Sequence, residues 1–79
     1  MPTAIVLPEL DSGNDVIRVS CWLVDLGDSV EVGDRVVEVL VRGITFDVSA
    51  PAAGVVGRIE KLNDSIVVPG ETLGWIKDQ

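Results

Sequence analysis

The stretch that decides the fold is Glu38-Val39-Leu40-Val41-Arg42-Gly43-Ile44-Thr45-Phe46-Asp47-Val48-Ser49-Ala50-Pro51. Arg42-Gly43 in its middle predicts a two-residue β-hairpin turn, because glycine readily adopts the backbone that such turns need. A turn at this point determines the pairs across the hairpin, namely Val41 with Ile44, Leu40 with Thr45, Val39 with Phe46, Glu38 with Asp47 and Val37 with Val48.

Side chains alternate across a strand, so this register sorts the hairpin into two faces. One face is wholly apolar and carries Val37, Val39, Val41, Ile44, Phe46 and Val48. The other face carries Glu38, Leu40, Thr45 and Asp47. A slip of one residue would mix the two sets, so the pattern itself specifies the register.

Composition and charge narrow the classes of protein to consider. The 79 residues predict one domain spanning 1–79, and a hydrophobic content of 47% is typical of a folded chain. The net charge of −7 argues against nucleic acid, whose phosphates would be repelled, and suits a basic protein partner. The sequence shows neither a membrane-spanning run nor a cationic leader, so we expect no membrane insertion and a cytoplasmic location. With one cysteine and no histidine, no disulfide or metal site is expected.

Short strands separated by turn signals follow one another along the rest of the chain. The predicted strands are residues 3–7, 16–24, 30–32, 35–41, 44–50, 55–62, 66–68 and 72–77. The turns between them are rich in Gly, Asp, Asn, Ser and Pro, and no helical period is present. This pattern predicts a small all-β sandwich or barrel.

The chain also repeats itself. The segment from Val19 through Gly27-Asp28-Ser29 and Gly33 to Val39 matches that from Val55 through Asn63-Asp64-Ser65 and Gly70 to Ile76. The offset is 36 residues up to Ile66 and 37 from Gly70, with Pro69 interpreted as the extra residue. Neither half alone can bury its apolar face, so we expect two similar sheets related by an approximate two-fold axis, with the hairpin at one end and the paired termini at the other.

Several motifs together resemble the lipoyl domain, the swinging-arm domain of 2-oxo acid dehydrogenase complexes, which is related to biotin carrier domains. They are Leu7-Pro8-Glu9-Leu10, the segment from Trp22 to Val30, Val32-Gly33-Asp34, the segment from Thr45 to Val56, and Gly70-Glu71-Thr72-Leu73-Gly74. The resemblance spans nearly the whole chain. It implies a flattened eight-stranded barrel-sandwich of two four-stranded antiparallel sheets with pseudo-two-fold symmetry.

The hairpin tip departs from the family pattern. Members of the family carry Asp-Lys-Ala there, and the lysine takes lipoate or biotin in an amide bond. Counting back from Pro51 puts Arg42-Gly43-Ile44 at these three positions, so the resemblance implies Gly43 as the modification position. Glycine offers no amine, and an arginine guanidinium stays protonated and is no nucleophile. The lysines of the chain, Lys61 and Lys77, lie elsewhere in the sequence.

Three hypotheses about function follow. The first is a non-catalytic lipoyl-type module without cofactor that binds a protein partner or serves a structural role, as a monomeric domain or part of a larger chain. The second is an acyl-carrier domain of a 2-oxo acid dehydrogenase complex, with lipoate displaced to another residue. The third is a cofactor-free lipoyl-like adaptor of a membrane transport assembly. In none of them is the domain an enzyme by itself.

A few residues outside the tip invite functional interpretations. Glu38 and Asp47 form a carboxylate pair, but without a nucleophile or evident cleft beside it we expect a solvated like-charge pair. Cys21 shares a face with Ile17, Val19 and Leu23, which predicts a buried, inert thiol. Trp22 is expected to be half-covered. We expect Trp75 near the closing strand.

For the apolar tip formed by Leu40, Val41, Arg42 and Ile44, an interface and structural filling are equally favoured.

Overall fold

The computed structural model describes residues 1–78, which form two antiparallel four-stranded sheets. Eight strands follow one another along the chain: β1 (Thr3–Val6), β2 (Ile17–Trp22), β3 (Ser29–Val30), β4 (Arg35–Val41), β5 (Ile44–Ser49), β6 (Gly54–Ile59), β7 (Ile66–Val67) and β8 (Thr72–Lys77). One sheet has the order β1-β8-β6-β3 and the other β5-β4-β2-β7. The all-β fold predicted from the sequence is confirmed. Within residues 1–78 there is no helix that could cross a membrane.

The β4–β5 hairpin has the predicted register, from Val41 opposite Ile44 to Val37 opposite Val48. Arg42 and Gly43 form the turn with φ angles of +51° and +76°, both in the left-handed region that two-residue hairpin loops use. The predicted apolar face is buried on β4, whereas Ile44 and Phe46 are 58% and 42% exposed. These two side chains belong to an edge strand, where the second sheet covers the face only partly.

The core lies between the two sheets and is almost entirely aliphatic. Its members are Ile5, Leu7, Ile17, Val19, Val30, Val36, Val37, Val39, Val41, Val48, Ala50, Val56, Val67, Leu73 and Ile76. Burial of each larger side chain stabilises the fold by roughly 1.5–3 kcal/mol relative to exposure. Val36 and Val37 are both buried although they are consecutive, because the register between β4 and β5 shifts between Arg35 and Val37.

From β2 to β4 and from β6 to β8, the two halves are related by a constant offset of 37 residues. The backbone bond from Gly27 N to Val56 O has its counterpart in the bond from Asp64 N to Val19 O. The register shift between Val19 and Cys21 likewise corresponds to that between Val56 and Arg58. The internal repeat is therefore confirmed, but the predicted offset of 36 for its first part was wrong by one residue. Pro69 is not an insertion.

The irregularity in β2 overturns the prediction for Cys21. Between Val19 and Cys21 the register with β4 shifts, so Cys21 pairs with Glu38 instead of continuing the inward alternation. Its thiol is half-buried, with Sγ 3.9 Å from Oε2 of Glu38, and Leu23 is exposed. A bulge adds one residue to one strand and thereby reverses which face each later side chain occupies.

The same reversal explains the position of Trp22, which is half-buried as expected and packs against the core. Its indole Nε1 donates a hydrogen bond to the carbonyl oxygen of Lys61 at 2.6 Å. The ring crosses from the β5-β4-β2-β7 sheet to β8 of the other sheet, where Gly74 leaves room for it. Trp75 lies in β8, the strand that pairs with β1, as predicted.

Candidate functional site

The tip of the β4–β5 hairpin is the site that the sequence motifs single out. Gly43 is exposed there, and a side chain added at this residue would meet nothing within 4 Å for its Cβ. Ile44 follows it and is largely exposed, whereas Val41 before the turn is buried. At the tip, Val41 therefore packs in the core, whereas Ile44 lies at the surface.

Arg42 binds the loop that connects β1 to β2. Its Nε lies 3.1 Å from Oδ2 of Asp15, and its Nη2 donates a hydrogen bond to the carbonyl oxygen of Asp11 at 3.1 Å. One guanidinium thus contacts two points of the loop with donors in a fixed plane. The arrangement joins the tip to a loop that lies about thirty residues earlier in the sequence.

Hydrogen bonds within the loop hold it folded beside the hairpin tip. Ser12 is buried, its N–H lies 2.6 Å from the carbonyl oxygen of Leu10, and its carbonyl oxygen accepts a hydrogen bond from the Asp15 N–H at 3.0 Å. Leu10 packs against the core. Between loop and tip a cavity of about 30 Å³ remains, with Phe46 in its wall. Loop and tip therefore form one surface.

The two lysines lie away from the tip. Lys61 is half-buried in the connection between β6 and β7, with Nζ 3.2 Å from Oε2 of Glu71. Lys77 ends β8, opposite Val55. With the 37-residue offset, Lys61 corresponds to Val24 and Lys77 to Leu40. Lys77 thus lies at the end that the pseudo-two-fold axis exchanges with the tip, next to the ion pair between the Met1 amino group and Asp78.

The carboxylates Glu38 and Asp47 are opposite each other, as predicted. Asp47 is paired with Arg35, whose Nη1 lies 3.3 Å from Oδ2, so the pair is not simply two like charges in water. An open groove of about 730 Å³ runs beside both carboxylates, which corrects the expectation that no cleft lies there. Among residues 1–78 no group of three or more acids, cysteines or histidines could hold a metal ion.

Sequence reasoning missed the contacts of Arg42 with the loop. The sequence predicts residues 11–15 only as part of the turn-rich connection between its first two strands, and no local pattern connects Asp15 with residue 42. The available signal was indirect: the hairpin turn carries the cation Arg42, and three acids, Glu9, Asp11 and Asp15, lie in the loop and just before it.

Comparison with known proteins bears on this arrangement of strands and tip. The biotin/lipoyl family model, described as biotin-requiring enzyme, matches residues 4–76, from β1 through β8. The chain belongs to this family. The match includes both halves of the repeat and the whole β4–β5 hairpin, so the biotin/lipoyl domain accounts for nearly all of the described fold.

Individual relatives of this biotin/lipoyl domain are acyltransferase components. The chain is 30% identical over 78 residues to the dihydrolipoyllysine-residue succinyltransferase component of the 2-oxoglutarate dehydrogenase complex of Rickettsia typhi, covering 99% of this chain and 20% of that protein. It is also 30% identical over 78 residues to the acetyltransferase component of the pyruvate dehydrogenase complex of Corynebacterium glutamicum, covering 12% of that protein. The chain therefore spans a fifth or less of these relatives.

A solved structure of a lipoyl domain is also similar to this chain. The solution structure of the lipoyl domain of the 2-oxoglutarate dehydrogenase complex from Azotobacter vinelandii has a TM-score of 0.65 and 28% sequence identity to this chain. The match covers 91% of this chain and 87% of that domain. What is shared with the larger acyltransferase components is thus one module of the lipoyl type, which spans a fifth or less of their length.

Proposed function

We propose that this chain is a lipoyl-type module of a 2-oxo acid dehydrogenase acyltransferase component that carries no prosthetic group at its hairpin tip and acts by binding other protein parts. The observation that carries the proposal is the pair Arg42-Gly43 at the turn, where no primary amine projects. The family membership and the succinyltransferase and acetyltransferase relatives support the assembly in which it would work.

The chemistry of attachment supports the absence of an arm at this turn. Lipoate and biotin are attached through an amide, which requires a nucleophilic nitrogen on the protein. Gly43 has no side chain, and the Arg42 guanidinium remains protonated at any ordinary pH. The guanidinium is also engaged with Asp15 and the Asp11 carbonyl oxygen, so it does not extend freely into solvent.

The remaining amines are poorly suited to the same task. An acyl arm has to swing between active sites, which favours an acceptor at the apex of a protruding turn. Lys61 is half-buried and paired with Glu71, and Lys77 belongs to a strand. No cofactor is therefore part of this proposal.

Partner and location follow from the same proposal. A net charge of −7 favours a partner with a basic surface and disfavours nucleic acid. The module would work in the cytoplasm without inserting into a membrane, as a monomeric domain or as part of a longer chain.

Intact mass spectrometry tests the proposal directly. The chain is co-expressed with a lipoate ligase and a biotin ligase, with lipoate and biotin supplied, and a lipoyl domain that carries the Asp-Lys-Ala tip is expressed alongside as the control. We expect the control to gain the mass of the cofactor and this chain to keep its unmodified mass. A cofactor adduct mapped by peptide sequencing to Lys61 or Lys77 would refute the proposal.

The second candidate is an acyl carrier whose arm is attached away from the tip. The names of the relatives, which are dihydrolipoyllysine-residue acyltransferases, favour this function. It requires lipoate on Lys61 or Lys77 and, beyond that, reductive acylation of the lipoyl group by the decarboxylase component of a dehydrogenase complex. Detection of both the adduct and its acylation would establish the carrier, and the absence of an adduct would exclude it.

A further inference from the structure

The outer surface of the β5-β4-β2-β7 sheet carries aliphatic side chains that are 37–56% exposed. Ile17 in β2 and Val67 in β7 are opposite each other and buried, so the residues next to them in sequence point outward. We define the outer apolar face by these outward residues around Arg18: Val16, Leu40, Ile66 and Val68.

Strand register places Arg18 in the middle of this face. Arg18 is opposite Leu40 on one side and opposite Ile66 on the other, so the three residues form a row across β4, β2 and β7. Val16 lies just before β2 and Val68 just after β7, and both point to the same side as Arg18 and Ile66. The two valines line one shallow depression. The exposed fractions are 54% for Val16, 37% for Leu40, 56% for Ile66 and 55% for Val68.

Such a face is unusual for a sheet with one side in water. An antiparallel sheet normally alternates apolar side chains toward the core with polar ones toward solvent, and a contiguous apolar patch on the solvent side marks an interaction site. The neighbouring row of the same sheet follows the normal pattern, since Asp47, Glu38 and Cys21 occupy it.

Arg18 also differs from the other arginines of the chain in its charge partners. Arg35, Arg42, Arg58 and Lys61 each pair with a carboxylate. Among the described residues Arg18 has no such ion pair, and its Nη1 donates a hydrogen bond to the carbonyl oxygen of Asp64 at 3.3 Å. In a chain of net charge −7, the centre of this apolar face is therefore a cation without a carboxylate partner.

From these observations we propose that the outer apolar face binds a segment of a partner protein in which one carboxylate is flanked by aliphatic side chains. The carboxylate pairs with Arg18, and the aliphatic side chains pack on Leu40 and Ile66. This inference goes beyond the proposed function, since it holds whether or not any lysine carries a cofactor.

Charge and area both argue against a second copy of this chain as the occupant. A two-fold symmetric contact on this face would bring the Arg18 side chains of the two copies together in an apolar interface. A stable interface also buries about 800 Å² on each partner, contributed by roughly 20–30 residues. The outer apolar face and Arg18 together comprise five residues, which suits a short segment and weak binding.

The test titrates the ¹⁵N-labelled chain with three capped tripeptides, acetyl-Leu-Glu-Leu-amide and its Gln and Lys analogues. We expect amide shifts at residues 16–18, 40 and 66–68 that saturate with the Glu peptide, and affinity that is roughly threefold weaker for the Gln peptide, as for an exposed ion pair. In Arg18→Gln the difference between the Glu and Gln peptides should disappear. Arg35→Gln, which changes a cation elsewhere on the same sheet, should keep it.

Three results would overturn the proposal. They are equal affinity for all three peptides, shifts confined to another surface, and no shifts at millimolar peptide. Sedimentation of the free chain provides a further check, because concentration-dependent dimerisation abolished by Leu40→Asp would identify a second copy as the occupant. These outcomes do not depend on whether mass spectrometry finds a cofactor attached to the chain.

Discussion

Arg42 and Asp15 form an ion pair that joins the hairpin tip to the loop between β1 and β2, with Nε and Oδ2 3.1 Å apart. The two side chains are 59% and 44% exposed, so the pair contributes little to global stability and mainly restrains the loop. Arg42 occupies a left-handed backbone conformation, with φ at +51°, that most side chains disfavour. The contact thus holds a conformationally costly residue in place.

The first prediction concerns this contact. Arg42→Gln should lower the free energy of unfolding by no more than about 1 kcal/mol, while amide hydrogen exchange at residues 11–15 accelerates, because the loop loses its attachment to the tip. Arg42→Asn should be less destabilising than Arg42→Gln, because asparagine tolerates a left-handed backbone. Urea unfolding and hydrogen exchange measure the two effects. Unchanged exchange in the loop would contradict a restraining role for Arg42.

The second prediction concerns the tip as a potential attachment site. The double variant Arg42→Asp with Gly43→Lys should accept lipoate from a lipoate ligase, because space around residue 43 is open and the rest of the scaffold is of the lipoyl type. Lysine at the +76° φ of Gly43 should cost about 1 kcal/mol of stability. Intact mass reports the modification, and circular dichroism controls for folding. A folded but unmodified double variant would indicate that the surface recognised by the ligase has diverged too.

The third prediction concerns packing between the sheets at Gly74. A Cβ there would lie 2.6 Å from the Arg58 carbonyl oxygen and 2.8 Å from Cη2 of Trp22. Gly74→Ala should therefore lower the free energy of unfolding by about 2 kcal/mol or more, through displacement of the indole and of β6. Gly57→Ala is the matched control, since its Cβ would lie 3.3 Å from Cβ of Lys77, and it should cost clearly less. Equal effects in thermal unfolding would contradict this account.

The fourth prediction concerns acid stability. The hydrogen bond from the Val68 N–H and the contact with Lys61 hold the pKa of Glu71 below its ordinary value. Because the pKa is lower in the folded than in the unfolded chain, the stabilisation is complete above the unfolded pKa and is lost as pH falls through the folded pKa. Glu71→Gln should thus destabilise the fold at neutral pH and have a smaller effect in acid.

Urea unfolding of Glu71→Gln at neutral pH and below about pH 3 gives the comparison. Glu9→Gln serves as the control, since Glu9 is an exposed acid outside the strands, and its effect should be small at both pH values. A destabilisation by Glu71→Gln that is the same at both pH values would mean that the carboxylate charge does not matter.

The β4–β5 hairpin and the internal repeat could be predicted because both depend on local pattern. The alternation of apolar residues from Val37 to Val48 admits one register around Arg42-Gly43, and the turn sequences recur in both halves. The chemical character of the tip could likewise be inferred from two residues. Each of these features requires only neighbours along the chain or a nearby partner strand.

The position of Cys21 and the contacts of Arg42 could not be obtained in that way. A bulge after Val19 depends on how β2 pairs with β4, and no residue in β2 by itself indicates the extra residue. The offset of 36 for part of the repeat rests on matching Asp28-Ser29 with the identical pair Asp64-Ser65. In the structure Asp28 corresponds to Ser65, because the carbonyl oxygens of these two residues accept equivalent backbone hydrogen bonds. The link from Arg42 to Asp15 joins segments that are distant in sequence, and only the packed sheets bring them together.

The amino-acid sequence alone therefore determined the class of fold, the hairpin register and the absence of an amine at Arg42-Gly43, because side-chain alternation and residue chemistry are local properties. Only the tertiary structure decided which side chains after a bulge face water, which loop Arg42 holds, and that Arg18 lies between Leu40 and Ile66 on an uncovered face. Those relations arise from backbone pairing between separate strands, which no single segment encodes.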